Sequence, residues 1–184
     1  KPKDGLLIVS LGWIAVSIIG AIPFYASGVV PSFVDALFES VSGFTTTGAT
    51  VIEDVEVLPR GILLWRSFTH WVGGMGILVF TLSILPTIGV GGFQVFKAET
   101  PGPVAGKIAP RMKDTASILY KTYMVFTVSL FILLMFGGMN WFDSVIHTFG
   151  VVGTGGFSNK NASVGHFNSL YIEIIMTIYM IACG

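Results

Sequence analysis

Phe33-Val34-Asp35-Ala36-Leu37-Phe38-Glu39-Ser40-Val41-Ser42-Gly43-Phe44-Thr45-Thr46-Thr47-Gly48-Ala49-Thr50 is an apolar segment followed directly by threonines and a glycine, and its reading decides the fold. The apolar part falls well short of the about 20 residues a helix needs to cross a bilayer. Segments of that length in a membrane chain are candidates for re-entrant helices, which enter and leave by one face. The stretch after it is polar and β-branched, which favours extended backbone, until Gly48 allows a positive φ. Irregular backbone at membrane depth is tolerated only where it is buried in protein or lines a watery cavity. Carbonyl oxygens of such a strand can line a pore and replace an ion's hydration shell. The competing reading is an ordinary turn, with glycine for the bend and threonine satisfying backbone groups.

The rest of the chain supplies the membrane. Its 184 residues are 53% hydrophobic and 11% charged, with a mean hydropathy of +0.80, whereas a soluble domain carries about 25% charge. Charge-free or nearly charge-free runs predict transmembrane helices over 6–26, 67–86 and 122–142, and a fourth from Asn168 onward. The first is too long for a signal peptide, whose apolar region spans about 7–15 residues. Ten basic and ten acidic residues cancel, which argues against a nucleic-acid partner, since that requires a basic surface. A lone cysteine, Cys183, excludes an intrachain disulfide framework. With no initiator Met and an end inside an apolar run, the chain reads as part of a longer polypeptide. Lys1 and Lys3 precede the first span, and Lys97, Lys107, Arg111, Lys113 and Lys121 follow the second. The positive-inside rule places those ends in the cytoplasm, and the acidic segment with Asp35, Glu53, Asp54 and Glu56 outside. The Pro- and Gly-rich stretch 86–113 reads as a cytoplasmic linker.

A shift of 108 residues superposes the two halves without a gap. Asp35 falls on Asp143, Thr46 on Thr154, Gly48 on Gly156 and Thr50 on Ser158, and Phe33–Phe44 falls on a second short apolar piece, Trp141–Val152. The counterpart of the threonine stretch is Val152-Gly153-Thr154-Gly155-Gly156-Phe157-Ser158. The expected fold is an all-α membrane protein of tandem repeats, each a transmembrane helix, a re-entrant pore helix, a filter strand and a second transmembrane helix. The boundaries are 1–85 for the first repeat, 86–113 for the linker and 114–184 for the second repeat, cut short in its last helix. The C-terminus of each short helix carries about half a negative charge and would stabilise a cation at mid-membrane. Asp35 and Asp143 sit at the opposite, positive ends, where they suit a capping role.

Four motifs in order carry a family resemblance: residues 42–50, then His70-Trp71-Val72-Gly73-Gly74-Met75-Gly76, then Lys97-Ala98-Glu99-Thr100-Pro101-Gly102-Pro103, and Gly155-Gly156-Phe157-Ser158. Together they resemble the Trk/Ktr/HKT superfamily of potassium transporters, most closely its bacterial Trk-type pore subunits, over essentially the whole chain. The resemblance implies four repeats around one pathway, of which these would be the first two, with Gly48 and Gly156 as filter glycines. It further implies potassium at the carbonyls of Thr46, Thr47, Thr154 and Gly155, with Thr45 and Gly153 next along the path. The implied activity is potassium uptake, potassium being the substrate and no cofactor being needed. The implied setting is the cell (inner) membrane, with filter loops entered from the outer face. The implied partners are a second copy of the pore subunit and a cytoplasmic nucleotide-binding regulatory ring. In some plant members a serine at the first filter glycine accompanies sodium permeation, so Gly48 favours potassium. Two repeats cannot enclose a four-strand filter, and the chain is not expected to conduct alone.

Two alternatives stand beside this: a sodium-permeable transporter of the same superfamily, and a non-conducting membrane scaffold whose repeat only supports helix packing. No enzyme is expected, since no nucleophile elbow, metal spacing or complete phosphate loop is present. Glu39, one turn beyond Asp35, would be costly at depth unless paired, and Arg66 is the available cation. The two are expected to pair and brace the filter, the competing reading being that Arg66 snorkels to solvent; the second repeat carries His147 in place of Glu39, so that chemistry is not expected to be shared. His70 reads as a packed, hydrogen-bonded helix residue. Gly73, Gly74 and Gly76 read as small residues allowing close helix approach. Asn161-Ala162-Ser163 matches a glycosylation acceptor on the outer side.

Overall fold

Two short helices start 108 residues apart, and each begins with a side-chain oxygen capping its first turn. The computed structural model describes residues 2–88 and 112–184, and all regular structure among them is helical. Helix α1 (Pro2–Ala26) leads to α2 (Phe33–Phe44) and α3 (Arg60–Ile88). Helix α4 (Met112–Phe136) leads to α5 (Trp141–Val152), a 3-10 turn (Ser163–Phe167) and α6 (Leu170–Cys183). The hydroxyl of Ser32 accepts from the Asp35 N–H at 3.4 Å, and the Asn140 side chain accepts from Asp143 N–H at 2.9 Å. Each satisfies one of the donors that a helix start leaves open.

The expected third span, 122–142, is corrected. Helix α4 stops at Phe136 because Gly138 takes φ 91, letting the Met139 N–H donate to the Leu134 carbonyl at 3.2 Å. That closes the helix by the usual left-handed glycine turn, and Trp141 and Phe142 belong to α5. The second span is longer than expected, since α3 starts at Arg60. Gly76 has φ 68 and ψ 153, so it breaks the helical path of α3. Most of the expected linker, residues 89–111, lies outside the described residues; its flanks at 86–88 and 112–113 are helical.

Each repeat has its own apolar core. Ala21, Phe24, Val30, Ala36 and Ile62 join α1, α2 and α3, while Leu130, Leu134, Val151, Val152, Ile172 and Met176 join α4, α5 and α6. The repeats meet along α3, which packs on α2, α4 and α5. Between them Trp71 donates to Thr127 at 3.0 Å, Tyr123 donates to the Trp71 carbonyl at 2.8 Å, and Phe149 lies 5.4 Å from the Trp71 ring. Elsewhere the long helices expose large apolar side chains, Ile14, Ile18 and Ile22 on α1 and Val125, Val128 and Ile132 on α4. In water such a surface would be unfavourable. Ser117–Phe136 is 20 residues, long and apolar enough to cross a membrane.

Candidate functional site

The ends of α2 and α5 are built alike. Thr45, Thr46 and Thr47 donate their N–H groups to the carbonyls of Val41, Gly43 and Ser42 at 2.9, 3.1 and 3.0 Å. Gly153, Thr154 and Gly155 donate to Phe149, Val151 and Gly150 at 3.1, 2.9 and 2.9 Å. This closing pattern normally places glycine at its left-handed residue. Here that residue is Thr46 (φ 54) or Thr154 (φ 55), and two residues on Gly48 (φ 74) and Gly156 (φ 84) are left-handed again. Thr47 and Gly155 are not, so φ alternates in handedness along both segments. A left-handed conformation costs a non-glycine residue about 1–2 kcal/mol, and for a β-branched one it is a true outlier. The expectation of extended backbone through residues 45–47 is therefore corrected: capping the last carbonyls of α2 outweighs threonine's β preference at Thr46.

The two segments approach each other. A Cβ built on Gly48 would overlap the Gly155 carbonyl oxygen, whereas one on Gly156 would have only the Met180 Cε nearby, at 3.8 Å. Helix α3 comes up behind both. A Cβ on Gly73 would strike the Phe44 carbonyl, and one on Gly74 would lie 2.7 Å from the Tyr123 hydroxyl and 2.5 Å from the Gly153 Cα. The expected close-approach role of Gly73 and Gly74 is met. All eight expected site residues, Thr45, Thr46, Thr47, Gly48, Gly153, Thr154, Gly155 and Gly156, lie on these two segments.

Behind the segments lies a buried polar network. Arg66 Nε is 3.3 Å from Glu39 Oε2, with the two side chains 3% and 0% exposed; the expected pair forms. Glu39 Oε1 also accepts from the Thr50 hydroxyl and, at 2.7 Å, from the Val51 N–H. Arg66 reaches into the other repeat, donating to the Ser158 carbonyl at 3.1 Å and placing its guanidinium 3.6 Å from the Phe157 ring centre. His70 is packed and hydrogen-bonded, its Nδ1 2.8 Å from the Gly43 carbonyl. The charged pair is not shared by the second repeat, as expected, but the hydroxyl contact is. His147 Nε2 meets the Ser158 hydroxyl at 2.9 Å, as Glu39 meets Thr50, while its Nδ1 bonds the Asp143 carbonyl at 2.8 Å. A neutral imidazole can take this place because it needs one hydroxyl partner and no buried counter-ion.

A family model described as "TrkH: Cation transport protein" matches residues 1–184. The chain belongs to the TrkH family. It is 44% identical over 98% of its length to the Trk system potassium uptake protein TrkH of Halomonas elongata, and 42% identical over its full length to that of Escherichia coli. It spans 38% of the length of each of these relatives. The crystal structure of the potassium transporter TrkH from Vibrio parahaemolyticus matches 97% of the chain with a TM-score of 0.75 at 36% identity, and the match covers 35% of that chain.

Three placements in this TrkH-family chain were not foreseen. Phe157 fills the gap between α3 and the second segment; its position inside Gly-Gly-Phe-Ser was the available signal. Asp143 is held by two amides, Asn140 Nδ2 at 2.7 Å and Asn159 Nδ2 at 2.6 Å, a stronger form of the capping role than at exposed Asp35. Asn161, read as a glycosylation match, also staples the loops that follow α2 and α5: Val55 N–H donates to its Oδ1 at 3.0 Å and its Nδ2 donates to Asp54 at 2.8 Å. That amide bond, more than the Glu56 N–H, holds the exposed Asp54 carboxyl below the usual carboxylate range. Beyond the second segment a cavity of about 340 Å³ is lined by His147, Gly156, Phe157, Glu173, Thr177 and Met180.

Proposed function

We propose that this chain contributes two of the repeats that form a potassium uptake pathway in a cell (inner) membrane, with residues 45–48 and 153–156 as its filter segments. The observation that carries the reading is the pair of left-handed threonines at equivalent positions, each followed two residues later by a left-handed glycine. Strain of this kind persists only where surroundings over-determine it, and it concentrates at functional sites. Alternating handedness has a use here, because it can turn successive carbonyls to one side, where a plain strand alternates them. Carbonyls of Thr46, Thr47, Thr154 and Gly155 on one side would replace potassium's hydration shell. Two short helices ending at these segments add the negative ends of their dipoles. Each relative compared above is itself named for potassium uptake or potassium transport, which supports potassium as the ion.

The process is passive in its chemistry, with potassium as substrate, no bond made or broken and no cofactor required. Because the chain spans 38% of its relatives, the conducting unit is the full-length protein. In that unit a second copy of the pore subunit and a cytoplasmic nucleotide-binding ring are the proposed partners, with the N-terminus and residues 86–113 on the cytoplasmic side and the filter entered from outside.

The test is rubidium-86 uptake into proteoliposomes holding the full-length protein, with potassium and sodium as competitors, for wild type and Gly48→Ser. Potassium should compete strongly and sodium weakly. The substitution should erode that preference, because any Cβ at residue 48 meets the Gly155 carbonyl. Strong sodium competition in wild type would favour a sodium-permeable transporter. No uptake by a folded preparation, or unchanged selectivity in Gly48→Ser, would favour a scaffold.

A further inference from the structure

His70 is fully buried on α3, between the two segments. Its Nδ1 faces the Gly43 carbonyl at 2.8 Å. A carbonyl only accepts, so Nδ1 carries the proton, and the neutral ring presents Nε2 as a bare acceptor. That Nε2 has no hydrogen-bond partner. It points at the second segment: a Cβ on Gly155 would overlap Nε2 and Cδ2 of the ring, and a Cβ on Gly48 would lie 4.0 Å from Nε2. The ring face is held as well, stacked on Phe157 at 3.9 Å and 12°. The Arg66 guanidinium lies 3.6 Å from the same Phe157 centre. Two planar groups that close cannot share a face, so Phe157 is clamped between side chains one helical turn apart on α3.

The imidazole is thus fixed on three sides, by the end of the first pore helix, by a residue of the second repeat and by the backbone of Gly155. Rotation about either side-chain torsion would break a contact. We infer that His70 is a positioning residue: it sets the separation between the first segment at Gly48 and the second at Gly155, and through that separation the preference for potassium over sodium. The inference rests on residues 45–48 and 153–156 being the filter. Carbonyl spacing and field are the quantities such a filter selects by, and His70 touches no ion itself. It also accounts for glycine at position 155, where φ is not left-handed and the ring edge alone forbids a side chain.

The test uses the full-length protein in proteoliposomes and the rubidium-86 competition assay, with Gly48→Ser alongside. His70→Asn keeps a donor for the Gly43 carbonyl and removes the Nε2–Cδ2 edge; His70→Phe keeps the edge and removes the donor. His70→Asn should still take up rubidium while its potassium-over-sodium ratio falls several-fold, and His70→Phe should retain more of the wild-type ratio. Gly155→Ala should abolish most uptake in wild type, and uptake should return in His70→Ala/Gly155→Ala, above that of Gly155→Ala alone. That recovery would show only that the ring edge is what bars a side chain at residue 155; the potassium-over-sodium ratio of His70→Asn is the readout that a merely structural contact would leave unmoved. If Gly48→Ser shifts selectivity but His70→Asn does not, the role of His70 is overturned and the filter stands. If Gly48→Ser leaves selectivity unchanged, the filter reading falls and the inference with it.

Discussion

Residue 39 of the first repeat is a buried glutamate, and 108 residues on, its counterpart is His147. Both grip the hydroxyl at the far end of the segment they support, Thr50 in one repeat and Ser158 in the other. They differ in what stands behind them. Arg66 and His70 in α3 fill the space between repeats, while their counterparts in α6, Ile174 and Ile178, are about half exposed at 48% and 54%. The first repeat therefore carries a charged brace that also holds the second, and the second makes do with a neutral one. One scaffold has kept its two helix ends and its hydroxyl contact while specialising the helix that follows.

The largest effect should come from unbalancing the charged brace. Removing one partner of a buried pair leaves an uncompensated charge and costs about 3–5 kcal/mol. His147 makes two neutral hydrogen bonds, and losing each costs about 1 kcal/mol. Glu39→Ala in the full-length protein should thus lower the thermal unfolding midpoint in detergent far more than His147→Ala. A double-mutant cycle of Glu39 with Arg66 should show strong coupling. Equal losses at the two positions would break the comparison.

Next in size is the pair of left-handed glycines. Alanine at either residue 48 or 156 is strained, since φ is 74 or 84. Only at residue 48 does it also collide with the Gly155 carbonyl. Gly48→Ala should therefore reduce rubidium uptake by a larger factor than Gly156→Ala, and the reverse order would place the close approach of the two segments in the wrong repeat.

The repeat itself was legible because hydropathy, segment length and the Thr46/Thr154 and Gly48/Gly156 identities all kept the same 108-residue spacing. So were the Glu39–Arg66 pair and the close approach at Gly73 and Gly74, which follow from the cost of burying charge and from backbone proximity. The end of α4 could have been read, since Gly137-Gly138 followed by Asn140 is a helix stop followed by a helix cap. Left-handed threonine could not. Local preference points the other way, and only the need to close α2 and α5 at a fixed place overrides it. Nor was the contact of His70 with Gly155, or of Asn161 with Asp54, available from sequence, because each joins positions separated by most of a repeat or more and depends on how the repeats dock.

A subtler test concerns the strained threonines. Thr46→Gly or Thr154→Gly relieves about 1–2 kcal/mol of left-handed strain but adds about 0.5–1 kcal/mol of backbone entropy to lose on folding. The net change in stability should lie between about 0 and 1.5 kcal/mol, in the stabilising direction. Selectivity should respond more than stability, and more in the second repeat. There Thr154 stands between Gly153 and Gly155, whereas Thr46 has Thr45 and Thr47, whose hydroxyls bond each other at 2.8 Å. Equal loss of potassium preference in the two variants would show that the glycine-rich segment is held by its surroundings as firmly as the threonine-rich one.

The smallest expected effect lies at the Asn161 staple. Asn161→Ala removes the amide that holds Asp54 below the usual carboxylate range. A depressed folded-state value stabilises the fold above the ordinary carboxylate value of about 3.9, and that contribution is lost as pH falls through the depressed value. The unfolding midpoint of wild type should therefore exceed that of Asn161→Ala at neutral pH by a small margin, which narrows on titration from about pH 5 to pH 3. Because Asp54 is exposed, the margin is also screened by salt. It should not close entirely, since the Asn161 carbonyl still accepts from the Val55 N–H, a contact without a charge to titrate. A margin independent of pH would assign the staple to that backbone contact alone. It would leave the two loops joined by shape rather than by the acidic residues at Asp54 and Glu56.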